Sequence, residues 1–326
     1  VAARWSWLVV SAALAAGCSQ ATAYVHPELQ PAPPAPEVHY RLVLIGDAGE
    51  PKDPEPVLTA ARDWAGRLPG RTSVVYLGDN AYPRGFIERR LADAEARVTR
   101  QIDAVQGVGA SIVFLPGNHD WDKSDTDGLV AIRRQAAFVN ARGATFRPAA
   151  GCAGPEALDL PAGAPVVRLI ALDTQWWLHR WSRADGCAAA TPAEIVTALA
   201  RALETPLPVV VAGHHPLATH GPHGGFYDWR AHLFPLGDLW SWARRLPLPL
   251  VGSLYPLTRT LIRSRQDLGN RTNRAMREAI GGALAAARQP ALRVFVAGHE
   301  HSLQVLTHAD VDYALVSGAG SSDHQS

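Results

Sequence analysis

The chain has 326 residues, 47% hydrophobic and 19% charged, which is enough apolar material for one large core or two modest ones and too much for a disordered chain. A formal net charge of +1 without any run of Lys or Arg supplies no basic field, and that disfavours nucleic acid as a primary partner. Thirteen histidines are the more telling count.

Residues 1–18 place Arg4 before the apolar run Trp5–Ala16 and end in Gly17-Cys18, the form of an export signal too short for a permanent span. The small residues before Cys18 resemble a bacterial lipobox, in which the cysteine carries lipid and becomes the mature N-terminus; simple cleavage is the alternative. Residues 19–38, with Pro31, Pro33, Pro34 and Pro36, read as an extended tether. The expected setting is the periplasm or cell envelope, with membrane anchoring through Cys18. If Cys18 is lipidated, Cys152 and Cys187 remain to form one disulfide or to stay as two thiols.

Residues 39–326 read as one domain in which strands alternate with helices. Amphipathic spacing predicts helices over Pro54–Leu68, Ile87–Val105, Ala131–Val139, Ala193–Leu203 and Arg274–Ala287. Residues 142–164, rich in Gly, Ala and Pro, and 184–190 break the alternation and read as loops. Residues 226–267 form a second insertion, rich in Trp and Pro, whose prolines argue against a regular helix. A lid over the core is the default for it, and an apolar patch for lipid or a partner protein the alternative. Nothing in the sequence marks an obligate protein partner.

Five apolar runs end in glycine followed by a metal-ligand residue type. Leu42–Ile45 precedes Gly46-Asp47; Val74–Leu77 precedes Gly78-Asp79-Asn80-Ala81-Tyr82; Ile112–Leu115 leads to Gly117-Asn118-His119-Asp120. Val209–Val211 leads to Gly213-His214-His215, and Val294–Val296 to Gly298-His299-Glu300-His301. An isolated Gly-Asp-Asn is more often a plain turn, but five such ends place Asp47, Asp79, Tyr82, Asn118, His214, His299 and His301 where α/β sheets carry their sites. Carboxylates, imidazoles and one amide oxygen suit a pair of borderline to hard metal ions sharing a carboxylate.

Those five motifs resemble the ordered motifs of the calcineurin-like metallophosphoesterases, from about Leu42 to Gly320. The resemblance leans toward the purple acid phosphatases of the small tartrate-resistant type. Ala48-Gly49 stand where most of the superfamily has a histidine two residues after the first aspartate, and Tyr82, three residues after Asp79, takes that ligand's place. The resemblance implies a four-layer αββα sandwich with its site at the strand C-terminal ends. It also implies one metal held by Asp47, Asp79, Tyr82 and His301, and a second by Asp79, Asn118, His214 and His299, with Asp79 bridging. Ferric iron is expected at the Tyr82 site, and Fe(II), Zn or Mn at the other.

The implied reaction is hydrolysis of a small phosphate ester, a monoester first, by water that the metals have made acidic. Asn118 would help bind the substrate. His119, oriented by Asp120, would protonate the leaving group, and His220 would bind phosphate or assist. His215 and His223 read as solvent-facing loop residues. Phosphodiester or nucleotide hydrolysis is the enzymatic alternative; a surface-anchored binding protein without turnover is the alternative of another class. The family's last strand and turn usually run past Ser317-Gly318-Ala319-Gly320, so a chain ending at Ser326 reads as cut short.

Overall fold

The computed structural model describes residues 37–227, 229–234, 247–248 and 251–321. The export signal, Cys18, most of the tether, and Trp240 and Trp242 of the second insertion lie outside the described residues.

Four parallel strands form the first sheet in the order β1 (Arg41–Ile45), β2 (Thr72–Tyr76), β3 (Ser111–Phe114) and β4 (Thr145–Phe146). Helices α1 (Pro56–Gly66), α2 (Leu91–Val105) and α3 (Gly128–Ala141) make the crossovers that parallel pairing requires. The second sheet has the order β5-β6-β7-β8-β10-β9, with strands Glu156–Leu160, Val167–Ala171, Val209–Ala212, Arg293–Ala297, Val311–Ser317 and Leu303–His308 respectively. Its central pairs β6-β7, β7-β8 and β8-β10 are parallel, and its two edge pairs antiparallel.

Side-chain alternation on these strands builds three apolar layers. Val74 and Tyr76 on β2, with Ile112 and Phe114 on β3, pack among Leu58, Ala65, Val98, Ile102 and Ile132 from the first three helices. Their neighbours Val75, Leu77, Val113 and Leu115 face Leu169, Ala171, Ala212, Val294 and Val296 of the second sheet. Ile170, Val211 and Phe295 point the other way, onto Leu199 of α5 (Pro192–Ala202) and Met276, Ile280 and Leu284 of α8 (Arg271–Ala286). The result is the expected αββα sandwich, and strands covered on both faces explain the near-continuous apolar runs.

All five predicted helices are present, with ends shifted by a few residues. A capping box sharpens the start of α5: Thr191 accepts from the Glu194 amide while Glu194 caps the Thr191 amide. Two expectations need correction. Residues 142–164 are not merely loop, since β4 and β5 lie within them, and β5 pairs along its whole length with β6. The prolines of the second insertion do not exclude a helix either. Leu254–Leu261 forms α7 with Pro256 in its first turn, where a missing N–H costs the helix nothing. The short helix α6 (Trp229–Leu233) lies in a different compact unit from the two sheets.

Cys152 and Cys187 form a disulfide, so the reading as two thiols falls. It closes a separation of 35 residues and joins the segment before β5 to the 184–190 loop, where Ala184 also donates to the Gly151 carbonyl at 3.1 Å. Such a bond suits an extracellular or periplasmic setting. Among the described residues no helix is long and apolar enough to cross a membrane.

Candidate metal centre

The carboxyl ends of β1, β2, β3, β7 and β8 deliver the predicted residues to one place. At three of them the backbone itself is turned: Asp47, Asp79 and His299 have φ of 61°, 55° and 68°, a region non-glycine residues enter rarely and mostly at functional sites. The flanking glycines matter for close approach. A side chain at Gly117 would collide with the Asp79 backbone and carboxylate, and one at Gly298 would meet Asp47 Oδ2 at 2.6 Å.

Asp47, Tyr82 and His301 form one group. The Tyr82 hydroxyl donates to Asp47 Oδ1 at 2.9 Å, and His301 Nε2 lies 3.1 Å from that hydroxyl and 3.3 Å from Asp47 Oδ1. Asp47 is wholly buried and also accepts from the His299 amide at 2.7 Å. Burial, followed by the charges of Asp47 and Asp79, pushes the Tyr82 phenol well above its ordinary range. A strong cation at this spot reverses that balance.

Asn118, His214 and His299 form the other group. His214 donates from Nδ1 to the Leu77 carbonyl at 2.9 Å, which leaves Nε2 as the free lone pair of the neutral ring. His299 donates from Nε2 to the Gln266 carbonyl at 3.1 Å, which frees Nδ1 in the same way. Those two nitrogens lie 3.2 Å apart, and both approach Asn118 Oδ1, at 2.9 and 3.1 Å. With both rings neutral, three acceptors would converge with no hydrogen among them, so the point calls for a proton on His214 or a cation in its place.

The electrostatics agree. Burial opposes charge on His214, but Asp79, whose Oδ1 is 3.5 Å away, outweighs it and raises the imidazole to about 9. A proton there does what a metal ion would do. Burial and the neighbouring histidines 223, 215 and 214 hold His299 well below its ordinary value. Asp79, 2% exposed, stands between the groups; burial alone would raise its carboxyl, yet His214 and His119 hold it well below the carboxylate range. Asp47, Asp79 and His214 offer ligand atoms to a common point, as do His214, His215 and His299.

His119 flanks Asp79, with Nε2 3.7 Å from Asp79 Oδ2 and its amide donating to Oδ1 at 2.8 Å. Its Nδ1 donates to the Pro83 carbonyl at 2.7 Å, and its ring meets Tyr82 edge-on. Asp120 therefore does not orient His119, contrary to the expectation. Its carboxylate is buried and accepts from the amides of Asn80 and Gly117 and from Asn80 Nδ2, so it holds the strand-end turns together.

The loop histidines 220 and 223 are placed differently. His220 is exposed, its amide on Gln304 and its ring against Phe226. His223 stacks instead on His299 with ring centroids 4.0 Å apart, and its Nδ1 is 3.0 Å from Asp267 Oδ1. His215, expected to face solvent, is fully buried, 4.4 Å ring to ring from His299. Sequence reasoning missed Glu300 as well. This buried carboxylate, between His299 and His301 in the sequence, accepts from the Thr219 hydroxyl and the His223 amide, and pins the loop that carries His223. The available signal was that His223 stands in the same Thr219-His220-Gly221-Pro222-His223 stretch as His220.

No family model matches the chain, and no curated protein does. Among solved structures it is similar to one described as GAP50, the anchor in the inner membrane complex of Plasmodium. That likeness has a TM-score of 0.44 and 12% identity, and covers 86% of this chain and 71% of that one. It is also similar to a candidate 5′-nucleotidase from Staphylococcus aureus, with a TM-score of 0.43 and 14% identity over 84% of this chain and 47% of the other. This chain spans about half the length of that protein. Likenesses of this depth leave the reading of the site to its own residues.

Proposed function

We propose that the chain is a dinuclear-metal phosphohydrolase of the metallophosphoesterase superfamily, of the purple acid phosphatase kind, acting on phosphate monoesters. The observation that carries this reading is the convergence of His214 Nε2, His299 Nδ1 and Asn118 Oδ1 on one point beside the Asp79 carboxylate. In this reading Asp47, Asp79, Tyr82 and His301 hold one ion and Asp79, Asn118, His214 and His299 the other. When bound, such a pair lowers the pKa of water to supply the nucleophile and offsets the negative charge of the phosphate.

The chain's own groups do the rest. Asn118 turns its oxygen toward the ion position and so keeps its amide nitrogen for a phosphate oxygen. His119 is anchored through Nδ1–H, so Nε2 is the nitrogen that can take up a proton and pass it to the leaving alkoxide; burial disfavours the resulting imidazolium, which makes it a ready donor. His223 takes the phosphate-binding part that the sequence suggested for His220. Tyr82, whose phenol resists ionisation by itself, favours ferric iron at its site, while Fe(II), Zn or Mn suits the other. Anchoring to a membrane through Cys18 belongs to the same reading of an envelope enzyme.

The test combines a spectrum with an assay. Protein purified from an iron-supplied host should show a visible tyrosinate-to-iron band that Tyr82→Phe removes, and should hydrolyse p-nitrophenyl phosphate until the metal is chelated. Activity that survives exhaustive chelation sinks the metal reading. Metal uptake without turnover on any phosphate ester leaves a binding protein.

A further inference from the structure

We propose that Gln266 and Asp267 form a positioning pair that sets the two imidazoles beside the second metal position, His299 through a backbone carbonyl and His223 through a carboxylate. This rests on the metal reading above, and it goes beyond it by assigning a role to the segment between α7 and α8. The two residues are adjacent, so their backbone can serve both rings only if that short stretch is held rigidly. Its restraints come from several sides.

The Gln266 carbonyl accepts from His299 Nε2, which fixes the ring's tautomer and turns Nδ1 toward Asn118 and His214. The Gln266 side chain keeps that carbonyl in place. Thr174 Oγ accepts from the amides of His214 and His215, so its one hydrogen goes to His215 Nδ1 at 2.8 Å. His215 must then donate from Nε2, and it does so to Gln266 Oε1 at 2.6 Å. The Gln266 amide nitrogen in turn donates to Gln175 Oε1 at 3.1 Å. His215, with both nitrogens engaged in this chain, acts as a brace; a ligand role would require it to give one of them up.

Asp267 is held as firmly. Oδ2 accepts from the Ser264 amide at 2.8 Å, and Oδ1 faces His223 Nδ1 at 3.0 Å and Arg259 at 3.4 Å. The Leu268 amide donates to the His223 carbonyl at 2.9 Å, and Glu300 accepts the His223 amide. With Nδ1 committed to Asp267, the His223 ring presents Nε2 as its remaining nitrogen while it lies against His299. A scaffold alone would need these bonds for folding only; a positioning pair affects the two functions separately.

Zinc titrations of the metal-free full chain separate the two arms. Wild type should bind two equivalents. Gln266→Ala keeps the carbonyl but removes its brace, and should weaken the second equivalent by about 10-fold, the lower end of the effect of losing an outer partner of a ligand histidine outright, and leave the first unchanged. Gln266→Glu, which keeps an oxygen for His215, should recover most of the loss. Gln175→Leu loosens the same amide from its other side, and it serves if Gln266→Ala does not fold. Asp267→Asn should keep both zinc affinities and weaken inorganic phosphate binding to the zinc-loaded protein by about ten-fold, as a charge-assisted bond to His223 becomes a neutral one. Second-site affinity unchanged in both Gln266→Ala and Gln175→Leu, or phosphate affinity unchanged in Asp267→Asn, overturns the pair. Wild-type protein that takes up no zinc overturns the metal reading and the pair with it.

Discussion

The two halves of the candidate centre are built differently. Around Asn118, His214 and His299 every ring nitrogen facing away from the shared point is tied to a backbone carbonyl, and His214 is fully buried. Around Asp47, Tyr82 and His301 the side chains bond one another, and His301 remains 22% exposed. The first arrangement is a buried pocket whose geometry is set before an ion arrives. The second is a rim group whose partners can separate when an ion enters among them. Pre-set geometry and adaptable geometry here share one carboxylate, Asp79.

The largest effect should come from breaking what the halves share. Asp79→Asn should lower phosphatase activity by about three orders of magnitude or more, because several kcal/mol of charge stabilisation disappears, and a zinc titration should show both equivalents weakened. Loss of one equivalent alone would mean that Asp79 does not bridge.

The element beneath the buried pocket carries a pH dependence. Asp173 caps α4 (Thr174–Leu178), whose first residue holds the His214 and His215 amides, and burial raises its carboxyl from 3.8 to about 7. Its folded pKa exceeds the ordinary value, so between about pH 4 and pH 7 the native state keeps a proton the unfolded chain has released. Stability from it is full below about pH 4 and lost as pH rises through about 7. Urea unfolding across that window should show Asp173→Asn flattening the decline by a few kcal/mol, since a tenfold difference in proton affinity between the two states is worth about 1.4 kcal/mol. Equal slopes in both proteins would mean that Asp173 ionises inside the fold.

A smaller effect separates the halves directly. In metal-free protein His214→Ala strands the Leu77 carbonyl and should cost about 1–3 kcal/mol in urea unfolding. His301→Ala, at the rim, should stay within about 0.5 kcal/mol. Equal costs would erase the distinction. Smallest for the buried pocket is Tyr82→Phe, which should abolish the visible band and leave second-equivalent zinc affinity unchanged.

Much of this layout is legible in the sequence because strand-end chemistry is local. An apolar run buried on both faces ends where a glycine and a polar residue begin, so Asp47, Asp79, Asn118, His214 and His299 mark themselves. What stays hidden depends on distant contacts. His223 and His220 both sit in Thr219-His220-Gly221-Pro222-His223, and the distant Glu300, Asp267 and Leu268 turn the His223 ring inward. Asp120 sits beside His119 in the sequence but spends its oxygens on Gly117 and Asn80. The β9-β10 hairpin went unread although Leu303–His308 alternates exposed and half-buried residues; its partner strand's irregular register weakened the pattern.

The pairing of β1's end with the turn after β10 bears on how the protein is made. Gly46 donates to the Ser317 carbonyl and accepts from the Gly320 amide, while Ser321 Oγ donates to the Asp47 carbonyl across 274 residues. On a ribosome, Asp47 emerges early and waits for His299, His301 and residues 317–321, which are still inside the exit tunnel or not yet joined. Its carboxylate therefore spends most of synthesis without the neighbours that define it. Contacts of such sequence separation form slowly, so the centre should be the last part of the molecule to close.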